Sequence, residues 1–282
     1  MRVFFDVPFE SKGVRRVALQ LAMHLPENME IVTDPYSADL SVIHVVGRHD
    51  HNIKRAQDYA NLGHKYAVIQ YVLGSCRNPD PLDWIDFWNG AKTVWSYYDL
   101  HQWALLLYHA PLGVNTEKFY KEDVEKKYLV GTMGIDPNNE CFNEVRLACF
   151  KAGGKMIHIG KKYVEDPIVD FVENVTDDEL RLIYNQCTWF SALRRKDGFE
   201  IPALEAILCG AKPIVFDTPN YRQWYNNLAQ FIPESTVGDT VRSLAKILSK
   251  TTPLVTDSEI EEVKERFDWK IIVEGFWARC QI

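Results

Sequence analysis

Residues 194–217 read RRKDGFEIPALEAILCGAKPIVFD, and the order of residue types there specifies a turn, a helix start and a short strand. Gly198 opens backbone angles closed to other residues, and Pro202 suits the first turn of a helix, where a missing N–H leaves no bond unmade. The closing KPIVFD (212–217) is an apolar run of strand length. Strands and helices alternating in this way build parallel sheets covered by helices.

The alternation extends in both directions. In the first half RVFFDV (2–7), EIVTD (30–34), DLSVIHVV (39–46), YAVIQYVL (66–73) and TVWSYY (93–98) are strand-like, with helices expected over 14–24, 52–62 and 100–108. In the second half YLVGTMG (128–134), KMIHIG (155–160), VDFVEN (169–174) and CTWFSAL (187–193) continue the pattern. Thr176 and Glu179 form a capping box that satisfies free N–H groups of a first helical turn. Amphipathic helices follow over 235–249 and 257–267, and DWKIIVEGFWARCQI (268–282) has one apolar face. The polar, glycine-containing HAPLGVNTEKFYKED (109–123) separates two α/β runs. The expected fold is therefore α/β, with two Rossmann-like doubly wound domains facing a cleft. The domains are 1–112 and 113–267, with 268–282 as a helix crossing back to the first. The cleft is the natural place for a ligand.

The whole chain agrees with this division. Its 282 residues suit one large domain or two of about 100–150 residues. With 46% hydrophobic and 25% charged residues, the composition is that of a folded globular chain and not of a disordered one. Formal charge is −7, and Lys+Arg against Asp+Glu stands at 10 to 12 in 1–115 and 22 to 27 in 116–282. Neither half is basic, which argues against a duplex binder that works mainly through phosphates. The six cysteines (76, 141, 149, 187, 209 and 280) contain no Cys-x-x-Cys, and no signal peptide precedes them. They read as reduced thiols of a cytoplasmic protein. No apolar run approaches the roughly 20 residues needed to span a bilayer.

Free N–H groups at the helix start in 194–217 favour an anion, phosphate above all. Arg194, Arg195 and Lys196 add positive charge just upstream. Asp197 and Glu205 need another reason, because carboxylates repel phosphate. An ionised carboxylate accepts two strong hydrogen bonds from a vicinal diol. Phosphate plus diols describes a nucleotide sugar. A turn acid at 197 and a solvated helix acid at 205 account for the two carboxylates equally well.

DGFEIPALEAILCGAKPIV (197–215) resembles the C-terminal signature of the retaining glycosyltransferases of family 4, which have the GT-B fold; the chain is short for that family, and such a reduced size suits a compact viral or phage-type member. KGVRRVALQLAMHL (12–25) resembles that family's first Gly-led loop and helix, and HAPLGVNTEKFY (109–120) its interdomain segment. VTDDELRLIYNQCTWFSAL (175–193) and FDWKIIVEGF (267–276) are similar to the elements before and after the signature. The likeness covers most of 110–282 and is loose over 1–110. It implies transfer of a sugar from a nucleotide diphosphate sugar, expected to be a UDP-sugar, to an acceptor hydroxyl with retention. It implies no cofactor, no metal and no obligatory protein base. Glu205 matches the acid on the ribose hydroxyls. Asp197 matches the acid on the donor sugar, where the family usually has Glu. The amides of Gly198, Phe199, Glu200 and Ile201 match those that meet sugar and phosphate, with Glu200 replacing a second Gly.

The chain departs from the family in VGTMGIDPNNECF (130–142), where Thr132, Met133, Asn138 and Asn139 stand in place of an Arg and a Lys on the diphosphate. Replacement cations are Lys161, Lys162, Arg194, Lys196, and Arg15 beside Gly13; each is equally a surface charge. On the first domain, HVVGRHDHN (44–52) follows a strand, so His44, Arg48 and His49 are acceptor-side residues. Gln70 stands near where relatives carry a His. His49 and His51 lack third and fourth ligands at zinc spacing.

Two acceptor classes stay open, a hydroxymethylated pyrimidine of DNA and a glycan; a viral enzyme would act in the host cytoplasm. DNA would need stacking aromatics, for which Trp84, Trp88 and Trp95 are the material if the core does not take them. A nucleotide-sugar epimerase and a catalytically silent nucleotide-sugar-binding protein are the alternatives.

Overall fold

The computed structural model describes residues 1–7, 12–46, 49–71, 81–195, 198–250 and 255–281. The chain forms two compact units, 1–112 with 269–282 and 113–268. The first contains β1 (Arg2–Asp6), α1 (Lys12–Met23), β2 (Glu30–Ile31), β3 (Leu40–Val45), α2 (His49–Asn61), β4 (Lys65–Gln70), α3 (Pro81–Asn89), β5 (Val94–Ser96) and β6 (Leu107–His109). The second contains β7 (Tyr128–Gly134), α4 (Phe142–Lys151), β8 (Met156–Gly160), β9 (Val169–Val172), α5 (Asp177–Gln186), β10 (Cys187–Ser191), α6 (Ile201–Leu208), β11 (Lys212–Phe216), α7 (Pro219–Tyr225), β12 (Gln230–Ile232), α8 (Val237–Leu248) and α9 (Asp257–Phe267). The closing helix α10 (Trp269–Gln281) belongs to the first unit.

The first sheet is parallel, in the order β2-β1-β3-β4-β5-β6. Every residue of β3 is buried, as is every residue of β4 after Lys65, which is why these strands read as near-continuous apolar runs. Helix α10 is held by Tyr108, whose hydroxyl donates to the Ile272 carbonyl at 2.8 Å, and by Trp277, whose Nε1 donates to the Leu21 carbonyl at 3.2 Å. A Cβ on Gly275 would lie 2.4 Å from the Tyr108 hydroxyl, so this glycine sets how closely α10 approaches β6.

One expectation fails in this unit. The stretch 100–108 is not a helix: one turn closes at Ala104, the Leu105 amide donates to Asn89 Oδ1 at 2.9 Å, and the chain then pairs as β6 with β5. The apolar residues Trp103, Leu105 and Leu106 that suggested a buried helix face are exposed. Trp84, Trp88 and Trp95 are 4%, 6% and 0% exposed, so they are core and present no stacking surface.

The second sheet, also parallel, runs β12-β11-β10-β7-β8-β9. From β7 outward this is the doubly wound dinucleotide-binding order. Strand order reverses between β7 and β10, which opens a crevice beyond their carboxyl ends. Capping boxes start α5 at Thr176/Glu179 and α9 at Thr256/Glu259. The Val114 amide donates to the Phe267 carbonyl at 2.8 Å and Thr116 Oγ1 to Asp268 at 2.8 Å, joining the two ends of the unit. The five described cysteines are buried and free. Among the described residues, no helix is long and apolar enough to cross a membrane.

Candidate functional site

The crevice of the second sheet is walled by two glycines with positive φ. Gly134 ends β7 with φ +148° and Gly160 ends β8 with φ +144°. A Cβ on Gly134 would lie 1.7 Å from Glu140 Oε1, and one on Gly160 would lie 2.0 Å from the Gly134 carbonyl oxygen. Beneath Gly134, the buried Glu140 carboxylate accepts from the Asp136 amide at 2.7 Å, and Asp136 Oδ1 accepts from the amides of Asn138 and Asn139 at 3.1 and 3.2 Å. The turn that in a nucleotide-binding sheet offers its amides to phosphate here turns several of them onto its own acids. Burial pushes the Glu140 pKa up, against the amides that favour its charged form.

His158, in β8, lies below the same edge. Its Nδ1 shares a 2.7 Å hydrogen bond with Thr132 Oγ1, and its ring packs edge-on to Phe142 with centroids 5.0 Å apart. Burial drives its pKa down to about 4, so it is neutral at pH 7.

Arg194 corrects the expectation of a cation free for the diphosphate. It is buried, and its guanidinium donates to the carbonyls of Met133 at 2.5 Å and Leu193 at 3.0 Å and faces Glu200 Oε1 at 3.5 Å. It straps the carboxyl end of β7 to the segment after β10. Arg195 pairs with Glu144 at 2.9 Å and Glu234 at 3.5 Å. Lys161 and Lys162 are exposed just past β8, with Lys162 reaching Glu165 at 2.5 Å. Lys196 and Asp197 lie outside the described residues.

The turn into α6 is rigidly braced. Gly198 is buried, and Phe199 packs against Trp224, Tyr225 and Phe267. The Glu200 amide donates to the Tyr225 hydroxyl at 2.9 Å, and that hydroxyl donates to the Glu200 carbonyl at 2.7 Å. The Glu200 amide is thus engaged by the protein, contrary to its expected place on the ligand. Ile201 begins α6 with Pro202 in its first turn. Glu205, one turn further on, is 1% exposed and accepts from the Tyr184 hydroxyl at 3.0 Å.

Four of the first-unit assignments also change. Gly13 and Arg15 sit inside α1 and not in a loop; both are exposed, and nothing lies within 4 Å of a Cβ on Gly13. His44 lies within β3, 1% exposed, its Nδ1 sharing a 2.8 Å hydrogen bond with the Tyr71 hydroxyl; burial holds its pKa at about 3. Gln70 is buried and accepts from Trp88 Nε1 at 3.2 Å. Both are core groups, as expected of consecutive buried positions in central strands. Arg48 and the side chain of His49 lie outside the described residues.

Residues that the sequence reading passed over are Glu140, Tyr184 and Tyr225, which carry no local signal, and Asp99, His101 and His109. The last three offer ligand atoms that all lie within 4.8 Å of one another, making the group suited to a metal ion among the described residues. Asp-x-His followed by a His at the end of the next strand was the available clue.

No family model matches the chain, and no curated protein sequence does either. Solved structures match along nearly its whole length. Anabaena HepE in complex with UDP is 10% identical, with a TM-score of 0.78 over 99% of each chain. Sucrose-phosphate synthase from Thermosynechococcus elongatus is 12% identical, with a TM-score of 0.69 over 99% of this chain and 98% of its own. The pneumococcal O-GlcNAc transferase GtfA, in complex with UDP and GlcNAc, is 14% identical, with a TM-score of 0.66 over 97% of this chain and 60% of its own. At these identities the likeness is one of fold, and the fold is α/β of the GT-B type.

Proposed function

We propose that the chain is a glycosyltransferase that takes a sugar from a UDP-sugar and passes it, with retention, to an acceptor hydroxyl. The donor sits at the carboxyl edge of the second sheet. Glu205 accepts from the ribose hydroxyls, Asp197 from the donor sugar, and the amides of Gly198, Phe199 and Ile201 face sugar and phosphate. The observation that carries this reading is the coincidence of the 197–205 motif with the start of α6 beside the strand-order reversal. It is supported by the whole-length fold match to HepE, which was solved with UDP and with UDP-glucose.

In this chemistry the protein orients the donor and stabilises charge on the departing diphosphate, and no protein nucleophile is required. The α6 start and Lys161 supply that stabilisation, since Arg194, Arg195 and Lys162 face acids of their own. A glycan hydroxyl suits the acceptor better than a DNA base, because Trp84, Trp88 and Trp95, the tryptophans expected to stack on bases, are core. A second reading, a nucleotide-sugar-binding protein without transfer, is favoured by the same engaged arginines.

Incubation with labelled UDP-sugars and a glycan panel, read by mass spectrometry, separates the readings. Transfer or slow hydrolysis supports the enzyme, and a product whose anomeric configuration matches the donor supports retention. Binding with neither reaction leaves the silent protein. A fold whose melting temperature ignores UDP and every UDP-sugar refutes both.

A further inference from the structure

We propose that Asp99, His101 and His109 form a binding site for one divalent transition-metal ion of the zinc class, at the carboxyl edge of the first sheet. The site follows from register. Strands β5 and β6 pair so that Ser96 lies opposite His109, the last residue of β6. Three residues past Ser96, the chain turns at Asp99. That brings Asp99 and His101 from the turn onto the end of the neighbouring strand, although seven residues lie between His101 and His109.

The turn holds its own ligands in place. Asp99 Oδ1 accepts from the His101 amide at 3.1 Å and shares a 2.7 Å hydrogen bond with His101 Nδ1. The rings of His101 and His109 stand edge to face with centroids 5.6 Å apart. The His109 ring is hydrogen-bonded to the Tyr97 main chain. A backbone partner on one ring nitrogen is the usual outer support of a metal-ligating histidine, because it fixes the tautomer and aims the other nitrogen.

Ligand chemistry selects the ion. Two imidazoles and one carboxylate suit zinc and its neighbours, whereas calcium and magnesium prefer all-oxygen sites. Tetrahedral zinc needs ligand atoms about 3.3 Å apart; all three lie within 4.8 Å of one another, and Asp99 Oδ1 and His101 Nδ1, now 2.7 Å apart, would separate as the ion replaces the proton they share. Asp99 and His101 side chains are 65% and 63% exposed, so both can turn to meet the ion without moving the sheet. Three protein ligands leave a fourth position for water. The bound ion would clip the turn after β5 onto the end of β6.

The test uses the full chain, stripped with chelator and titrated with zinc by calorimetry and with cobalt(II) by visible absorption. One ion per chain with tetrahedral cobalt bands is expected. His101→Ala and His109→Ala are each expected to weaken zinc binding by roughly tenfold or more, while a His49→Ala/His51→Ala variant binds as the wild type does. His101 is exposed, so its variant stays folded if loss of the half-buried His109 does not. A wild-type chain that takes up no ion overturns the proposal. So does binding that survives His101→Ala, or binding that disappears with His49 and His51.

Discussion

Replacing Glu205 by Gln tests the donor reading at its most specific atom. The side chain is 1% exposed and accepts from Tyr184 at 3.0 Å. Gln keeps the shape and an oxygen for Tyr184 but withdraws the charge. A hydrogen bond to an ionised group contributes about 1.5–3 kcal/mol, against about 0.5–1.5 for a neutral pair. Two ribose hydroxyls on the carboxylate therefore put the loss at about 2–3 kcal/mol, or roughly 30- to 150-fold in Kd. Calorimetry with UDP on wild type and Glu205→Gln measures it, and a urea titration shows that the fold is kept. Titrating 2′-deoxy-UDP sharpens the assignment: loss of one hydroxyl must weaken wild-type binding more than it weakens the Gln variant. Tyr184→Phe, which leaves a buried carboxylate with one partner fewer, is expected to lower stability by about 1–2 kcal/mol with UDP affinity nearly unchanged. Equal UDP affinity in wild type and Glu205→Gln, with the deoxy penalty intact, would refute the ribose assignment and make Glu205 a structural partner of Tyr184.

Gly160→Ala should prevent correct folding of the second unit, since the added methyl meets the Gly134 carbonyl at 2.0 Å, whereas Gly134→Ala, whose methyl meets the Glu140 carboxylate at 1.7 Å, should leave a folded but less stable unit with that side chain displaced. Gly153→Ala, with φ +71° and open space around it, should cost only about 1–2 kcal/mol of backbone strain; circular dichroism and urea melts distinguish the cases. Tyr225→Phe removes both hydrogen bonds to the Glu200 backbone, so stability should fall by about 1–3 kcal/mol, and UDP affinity should fall with it. Stability should also decline on acidification. His44 and His158 have folded pKa values of about 3 and about 4 against 6.5 in the free side chain, so the unfolded chain takes up protons first as pH falls. The stability is fully present above pH 6.5 and is lost from there down to about 4, at up to about 1.4 kcal/mol per pH unit for each imidazole. His158→Gln should flatten that slope in urea titrations between pH 7 and 5, and an unchanged slope would count against the burial argument.

Strands buried along nearly their whole length were legible because burial on both faces leaves its mark on consecutive residues; β3, β4 and β10 all appear as apolar runs. The capping box at Thr176 and Glu179 was legible because both bonds are local. The stretch 100–108 misled because WALLLYH has an apolar spacing that fits a helix, whereas its conformation is decided by Asn89 and by pairing with β5, neither of which is local. His44 was misplaced despite a local signal, since DLSVIHVV shows it inside a buried run. Within the candidate site, the turn and helix start around Gly198 and Pro202 could be read from residue type. The state of Arg194 and Arg195 could not: their partners Met133, Glu144 and Glu234 come from other segments, and Glu200, though only six residues from Arg194, is brought to it by the intervening turn; a sequence shows a charge without showing what answers it.

That difference decides how a diphosphate would be held at this edge. Counting cations in RRKD suggests a strongly positive corner, yet Arg194 faces Glu200 and Arg195 faces Glu144 and Glu234, while Glu140 adds a buried acid beneath Gly134. Attraction between charges falls with solvent screening, so exposed lysines such as Lys161 and Lys162 contribute modestly at physiological salt. The remaining attraction comes from dipoles at the start of α6, which are fixed by the Tyr225 brace and need no reorganisation when an anion arrives. On the proposed reading a corner built this way would select by position more than by charge: a nucleotide would be held where its ribose meets Glu205, with its phosphates at the helix start as a consequence. Inorganic diphosphate, which has no ribose, is then expected to bind far more weakly than UDP in calorimetry.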